Sequence, residues 1–257
     1  MRPLLTLFFL LIFSWPAWAY HPRILFDQAH GQAFVIEQES ELHLSQLAQS
    51  LVSQGYEVSS TRHPLTAELL DKTDALIISG AFKPYSVREI ALVKEFISQG
   101  GRVAVMIHIG PPVLPLLLEL GVDVANGVIR ETEQLIAGDP LNFVSSRLEA
   151  HPLTAGLKSF CLYGSWPVRP LSASGAILAY TSAGAWVDLT GDKQRTPGDL
   201  TQSFGVMVVN RIGQGELLVF GDDALFQNRF LRRGNQPLAV NLGHWLAAGR
   251  QAKGQKI

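Results

Sequence analysis

The chain has 257 residues, 47% of them hydrophobic and 17% charged, a composition that supplies a substantial core and excludes intrinsic disorder. Lys and Arg number 21 against 22 Asp and Glu, so the formal charge of -1 provides no electrostatic footprint for nucleic acid or an anionic lipid surface.

In chain order, the first element is a targeting signal. Met1-Arg2 carries positive charge, Leu4 to Phe13 form an apolar run, and Ala17-Trp18-Ala19 is a small-x-small cleavage pattern. Residues 1–19 therefore read as a signal peptide, with the mature chain beginning at Tyr20 and exported to a periplasmic or extracellular compartment. The apolar run is shorter than the roughly 20 residues of a membrane span. An uncleaved anchor is the alternative, and the mature chain is expected to have no span. Cys161 is the only cysteine, which rules out an internal disulfide. Its setting, "KSFCLYG", offers no basic or imidazole neighbour to activate a thiol, so a buried structural role is expected.

Beyond Arg23, short apolar runs alternate with amphipathic stretches. Ile24-Leu25-Phe26 predicts a buried strand, and Leu44, Leu47, Ala48, Leu51 and Val52 recur at helical spacing up to Gly55. Tyr56 to Ser60 and Asp74 to Ser79 predict two more strands, the second covered on both faces. Ser86 and Glu89 form a capping-box pair before a helix carrying Ile90, Val93, Phe96 and Ile97, closed by Gly100-Gly101. Arg102 to Ile107 predicts a fourth strand, and Pro111-Pro112 start a helix that runs through Leu120. This rhythm implies right-handed crossovers and a parallel sheet.

From Gly127 to Leu171 the pattern is irregular. Ala176 to Tyr180, Ala185 to Leu189 and Phe204 to Asn210 then read as strands, and "NRIGQGELLVFGDD" reads as a hairpin with a buried second arm, Glu216 to Phe220. A last helix places Leu238, Leu242, Trp245 and Leu246 on one face, with Pro237 near its start. Residues 20–248 are expected to form one domain, followed by a polar tail, 249–257.

Ligands bind beyond the carboxyl ends of the strands in an open parallel sheet. That rule gathers Asp27, His30 and Gly31 after the first strand, Gly80 after the third, His108 after the fourth, and Asp222 and Asp223 after the hairpin, with Asn228 nearby. His30, with Asp27 orienting it, is the candidate catalytic base. Imidazole and carboxylate could together hold zinc or manganese, but Asp27 and Asp223 each precede a helix in this reading and fit N-caps better. No metal and no cofactor is required by the sequence. His108 has apolar neighbours that favour a packed or hydrogen-bonded role, and His151 before Pro152 reads as an extended turn residue.

"RILFDQAHGQAF", "TDALIISG", "EFISQGGRVAVMI", "AHPLTAGL" and "GELLVFGDDALFQNRFL" resemble the class I glutamine-amidotransferase-like superfamily. Within it they resemble an uncharacterised exported branch, itself similar to the gliding-motility auxiliary component of ABC transporters and to an intraflagellar transport N-terminal domain. The resemblance spans Arg23 to about Leu246. It implies an α/β fold of flavodoxin-like type: a three-layer sandwich with a mainly parallel central sheet and an added C-terminal β-hairpin region. In true amidotransferases it also implies a nucleophilic cysteine at the turn corresponding to "MIHIGPP". Here His108 stands at that turn, and His151-Pro152-Leu153 lacks the glutamate of the family's partner motif, so the acyl-transfer route has no nucleophile.

Three functional readings follow. The first is a non-catalytic module binding a small polar ligand, such as a sugar or glycan fragment, with Tyr85 or Trp186 available to stack on a ring. The second is a scaffold or auxiliary subunit that contacts an envelope protein partner, for which Arg229, Arg232 and Arg233 beside Phe226 and Phe230 offer a surface. The third is a hydrolase using a metal or the His30–Asp27 pair.

Overall fold

The computed structural model describes residues 20–250, so the expected signal peptide and residues 251–257 of the polar tail lie outside the described residues. In the first half, β1 (Arg23–Asp27), β2 (Glu57–Thr61), β3 (Ala75–Ser79) and β4 (Arg102–Met106) alternate with α1 (Ser45–Ser53), α2 (Ala67–Asp71), α3 (Val87–Ser98) and α4 (Gly110–Glu119). All five residues of β3 are buried, as a continuous apolar run requires of a strand covered on both faces. The capping box forms as expected: Ser86 Oγ accepts from Glu89 N–H, and the Glu89 carboxylate accepts from Ser86 N–H. Helix α2 has no counterpart in the sequence reading because five residues are too few to show a period. Thr66 caps it by accepting from Leu69 N–H.

The second half contains β5 (Val122–Val124), β6 (Ile129–Arg130), β7 (Leu135–Ile136), β8 (Asp139–Ser145), β9 (Arg147–Leu148), β10 (Phe160–Tyr163), β11 (Val168–Pro170), β12 (Gly175–Tyr180), β13 (Trp186–Val187), β14 (Leu200–Thr201), β15 (Gly205–Ile212) and β16 (Gly215–Phe220). The short helix α5 (Asn228–Phe230) and the last helix α6 (Gln236–Ala247) follow. The sequence between 127 and 171 is irregular because most of its strands are short and all but β9 pair in three small sheets, β10-β8-β7, β11-β5 and β14-β13-β6. The strand expected over Ala185 to Leu189 contracts to the two residues of β13, which pair with β6 and β14 outside the main sheet.

The main sheet has the order β2-β1-β3-β4-β16-β15-β12-β9. Its first five strands are parallel and the rest antiparallel. The C-terminal hairpin is thus built into the sheet: β16 pairs with β15 on one edge and, in parallel, with β4 on the other. Successive residues face opposite layers. Ile24, Phe26, Ile77, Met106 and Phe220 pack under α1 and α6, while Leu25, Ile78, Val105 and Val219 pack under α3 and α4. The result is a flavodoxin-like three-layer sandwich. Among the described residues no helix is long and apolar enough to cross a membrane.

The end of β16 is fixed by a close backbone approach. Trp166 N–H donates to the Gly221 carbonyl at 2.7 Å, and a Cβ on Gly221 would lie 2.0 Å from the Trp166 carbonyl oxygen. Gly221→Ala should therefore lower stability by about 1–3 kcal/mol through overpacking. Urea unfolding midpoints measure this, and an unchanged midpoint would refute the constraint.

Candidate functional site

The carboxyl ends of β1, β3, β4 and β16 carry two groups of side chains. In the first, buried Asp27 is an acceptor hub: Oδ1 takes Ala29 N–H, and Oδ2 takes His30 Nδ1 at 2.7 Å, Gln32 Nε2 at 2.8 Å and the Tyr85 hydroxyl. The other imidazole nitrogen, His30 Nε2, lies 3.2 Å from Glu89 Oε1. Both ring nitrogens thus face carboxylates, and Tyr85 stacks on the ring at 3.7 Å. Burial by itself lowers the His30 pKa, but the Asp27 hydrogen bond and the charges of Asp27 and Glu89 outweigh it and hold the imidazole above its ordinary value. Burial and the Asp27 charge hold the Tyr85 phenol far above its usual range, so it remains a donor. Gly31, at φ +73°, turns the chain away from this cluster.

The second group joins residues far apart in sequence. His108 Nδ1 lies 3.1 Å from Asp223 Oδ1 across 115 residues. His108 has 37% of its side chain exposed, against 3% for Asp223, and Nε2 has no protein partner among the described residues. The Asp223 bond lifts the His108 pKa more than burial depresses it. The other Asp223 oxygen, Oδ2, is buried and accepts no hydrogen bond. It sits over Gly80, where an added Cβ would be 2.6 Å from it, and Gly80 adopts φ +60°. Phe34 and Phe82 flank the His108 ring at 5.2 and 5.0 Å, and Trp166 Nε1 donates to the His108 carbonyl. Asp222 accepts from Tyr163 N–H and Ala224 N–H, yet burial and the Asp223 charge push its pKa up to about 7.

Several expectations are corrected. Neither aspartate caps a helix: Asp27 accepts within its own turn and from the Tyr85 cluster, and Asp223 precedes a 3-10 turn without a side-chain cap bond. The Asn228 amide bonds to Gln46 N–H, the Ser40 carbonyl and Ser45 Oγ, tying the start of α5 to the start of α1. Tyr85 and Trp186 are buried, with Arg130 over the Trp186 ring, so neither offers a stacking face. Cys161 is half-buried, its thiol pushed up by burial and donating to the Arg233 carbonyl at 3.1 Å. His151 is extended as expected, and its Nδ1 accepts from Leu153 N–H.

Among the described residues three metal-ligand atoms approach one another only at Asp188, Asp192 and Asp199, a cluster the sequence reading passed over. Glu89 was legible as a helix cap but not as a partner of His30. The flanking Phe34, Phe82 and Trp166 carried no signal beyond their apolar character.

A family model described as a domain of unknown function (DUF4350) matches residues 43–242. No curated protein matches the chain. The mmIFT52 N-terminal domain superposes with a TM-score of 0.71 at 16% identity, covering 89% of this chain and 99% of that one. A cytoplasmic protein from Salmonella typhimurium gives 0.57 at 16% identity, covering 88% and 99%. A ThuA-like protein from Bacteroides uniformis gives 0.53 at 14% identity, covering 91% and 95%. These likenesses show the fold alone, a mixed α/β sandwich around a mainly parallel central sheet.

The two clusters impose a pH dependence. His30 and His108 have raised folded pKa values, so the stability they contribute is present below about pH 6.5 and lost as pH rises through those values. Asp222 holds its proton up to about pH 7 in the folded chain, so its contribution is lost over the window from about 3.9 to that value. His151, lowered by burial, works in the opposite sense. The unfolding midpoint should therefore fall between pH 5.5 and 8.5 in scanning calorimetry. A midpoint that holds or rises over that range would contradict these assignments.

Proposed function

The chain belongs to the DUF4350 family, and on that premise we propose that it is an exported, non-catalytic domain binding a small polar ligand in the crevice at the strands' carboxyl ends. The observation that carries this reading is the orphaned Asp223 Oδ2. A buried carboxylate oxygen without a donor costs free energy unless something supplies one, and partly exposed His108 bonds the other oxygen of the same carboxylate. The ligand would present a hydroxyl or N–H group to Asp223 and an acceptor to His108, a combination that a sugar or glycan fragment offers. Gly80 leaves the room in which Asp223 lies.

The placement of candidate catalytic groups favours binding over turnover. By the sequence resemblance His108 stands at the turn where an amidotransferase cysteine is expected, and Cys161 lies in β10 with its thiol hydrogen-bonded to the Arg233 carbonyl. His30, the candidate base, has both nitrogens committed to carboxylates and so has no site at which to accept a substrate proton. A second reading, an auxiliary subunit of an envelope transport system, is favoured by exposed Arg229, Arg232 and Arg233 around Phe230. Its gliding-motility form rests on sequence resemblance.

Thermal unfolding of the chain from Tyr20, scanned against amino acids, sugars and glycan fragments beside Asp223→Asn and His108→Ala, tests the proposal. A ligand at about 100 times its Kd adds about 2.7 kcal/mol. At roughly 2–4 °C per kcal/mol the shift is readily measured. The expected result is a shift lost in both variants. A shift retained in both, or none with any probe while a pull-down recovers an envelope protein, would overturn the crevice reading.

A further inference from the structure

The chain between α5 and α6 gathers Arg229, Arg232 and Arg233 in one stretch, although the formal charge of the whole chain is only -1. The backbone that carries them is held in place. Fully buried Asn235 accepts Cys161 N–H at 2.8 Å through Oδ1, and its Nδ2 donates to the Cys161 carbonyl at 3.0 Å and the Leu225 carbonyl at 2.8 Å. The Cys161 thiol donates to the Arg233 carbonyl, and Gly234, at φ +111°, reverses the chain just after it. The turn Leu231–Asn235 is therefore braced against β10 while its arginine side chains stay in solvent.

The side chains are ordered by an aromatic pair. Phe230 stacks on Tyr163 with ring centroids 3.9 Å apart, and the guanidinium carbons of Arg229 and Arg233 lie 5.5 and 5.9 Å from the Phe230 centroid. Phe226 takes no part, since it is fully buried and edge-on to Phe220. Arg229 Nη1 is 3.5 Å from Glu41 Oε2, an exposed pair. Among the described residues no carboxylate pairs with Arg232 or Arg233, both of them exposed. The surface thus offers accessible cations that lack partners, with two of them held beside a ring.

We propose that this arginine surface docks an acidic segment of a partner protein, whose carboxylates pair with Arg229 and Arg233 while Arg232 extends the positive edge. The inference goes beyond the crevice reading and does not depend on it; it gives the auxiliary-subunit reading a contact of stated chemistry. A guanidinium matches a carboxylate as a two-pronged donor, and arginine beside aromatic rings is the side-chain combination in which interface energy concentrates. Glu41 already shows the chemistry from within the chain, because its carboxylate takes Arg229 at a place for which a partner's carboxylate would compete. Nucleic acid is a poorer occupant, since a phosphate backbone is met by an extended track of cations. An anionic bilayer is poorer too: it is read by clusters of about four to eight basic residues, and Phe230 lies flat on Tyr163 instead of projecting.

The test is fluorescence anisotropy at low ionic strength with the chain from Tyr20, using labelled hexaglutamate, labelled hexaglutamine and, separately, phosphatidylserine vesicles. The expected result is saturable binding of hexaglutamate and none of hexaglutamine. Reversing one charge, in Arg233→Glu or Arg229→Glu, should weaken it by about fivefold or more. Glu41→Gln removes the competing carboxylate and should tighten binding, a gain that misfolding could not produce. His108→Ala should leave the affinity unchanged, and a loss there would move the peptide to the crevice and overturn the proposal. Equal affinity in Arg233→Glu and the parent chain, or no saturation by hexaglutamate, would also overturn it. So would vesicle binding that Arg233→Glu abolishes while hexaglutamate fails to bind, which would assign the surface to a membrane.

Discussion

The placement of β16 between β4 and β15 is the constraint on which the rest of the structure depends. Among the described strands it is the one with a parallel neighbour on one edge and an antiparallel neighbour on the other, so it joins the βα half of the chain to the antiparallel strands of the sheet. Its parallel register with β4, Phe220 opposite Met106, brings the chain emerging from both strands out at the same rim of the sheet. His108 and Asp223 meet there because each lies just beyond a paired strand end. The close contact at Gly221 then holds the Trp166 segment over that rim, with the indole bonded to the His108 carbonyl.

Two imidazole–carboxylate pairs occupy neighbouring strand ends, and burial gives them different roles. His30 is enclosed, stacked on Tyr85 and bonded at both nitrogens, so its charge is compensated within the protein and its position is rigid. His108 is bonded at one nitrogen and more than a third exposed. The first arrangement braces the turn after β1 against α3 through Glu89, which also caps that helix and accepts from Leu65 N–H. The second leaves chemistry available at the surface. A triad of acid, imidazole and acid is therefore an architectural device here, while the imidazole of the simpler dyad beside it is partly exposed.

Much of the fold was legible in the sequence, and the reason is physical. A strand buried on both faces must be apolar throughout, which is what "ALIIS" and "LLVF" display, and a capping box announces itself through Ser86 and Glu89. The rim residues could be gathered from topology alone, since strand ends in a parallel sheet face one way. Their pairings could not be. Asp27 and His30 are three residues apart and look like a pair, which they are, but nothing local shows that Glu89 occupies the second nitrogen. The His108–Asp223 bond is closed only by the β4–β16 register. Short strands such as β6, β7 and β13 lack the length for alternation to show, and the region 127–171 was opaque for that reason.

The protonation of the crevice ties its parts together. Asp27, Glu89, Asp222 and Asp223 set four carboxyl groups against the imidazoles of His30 and His108, so full ionisation would leave uncompensated negative charge at buried positions. The fold meets this cost unevenly: Glu89 stays ionised under its Ser86 and Leu65 donors, whereas Asp222 retains a proton up to about pH 7. Burial and the Asp223 charge hold that proton, and the Asp223 hydrogen bond holds the one on His108. Asp223 is the shared neighbour of both protonated groups, with Oδ1 on His108 and Oδ2 buried without a donor.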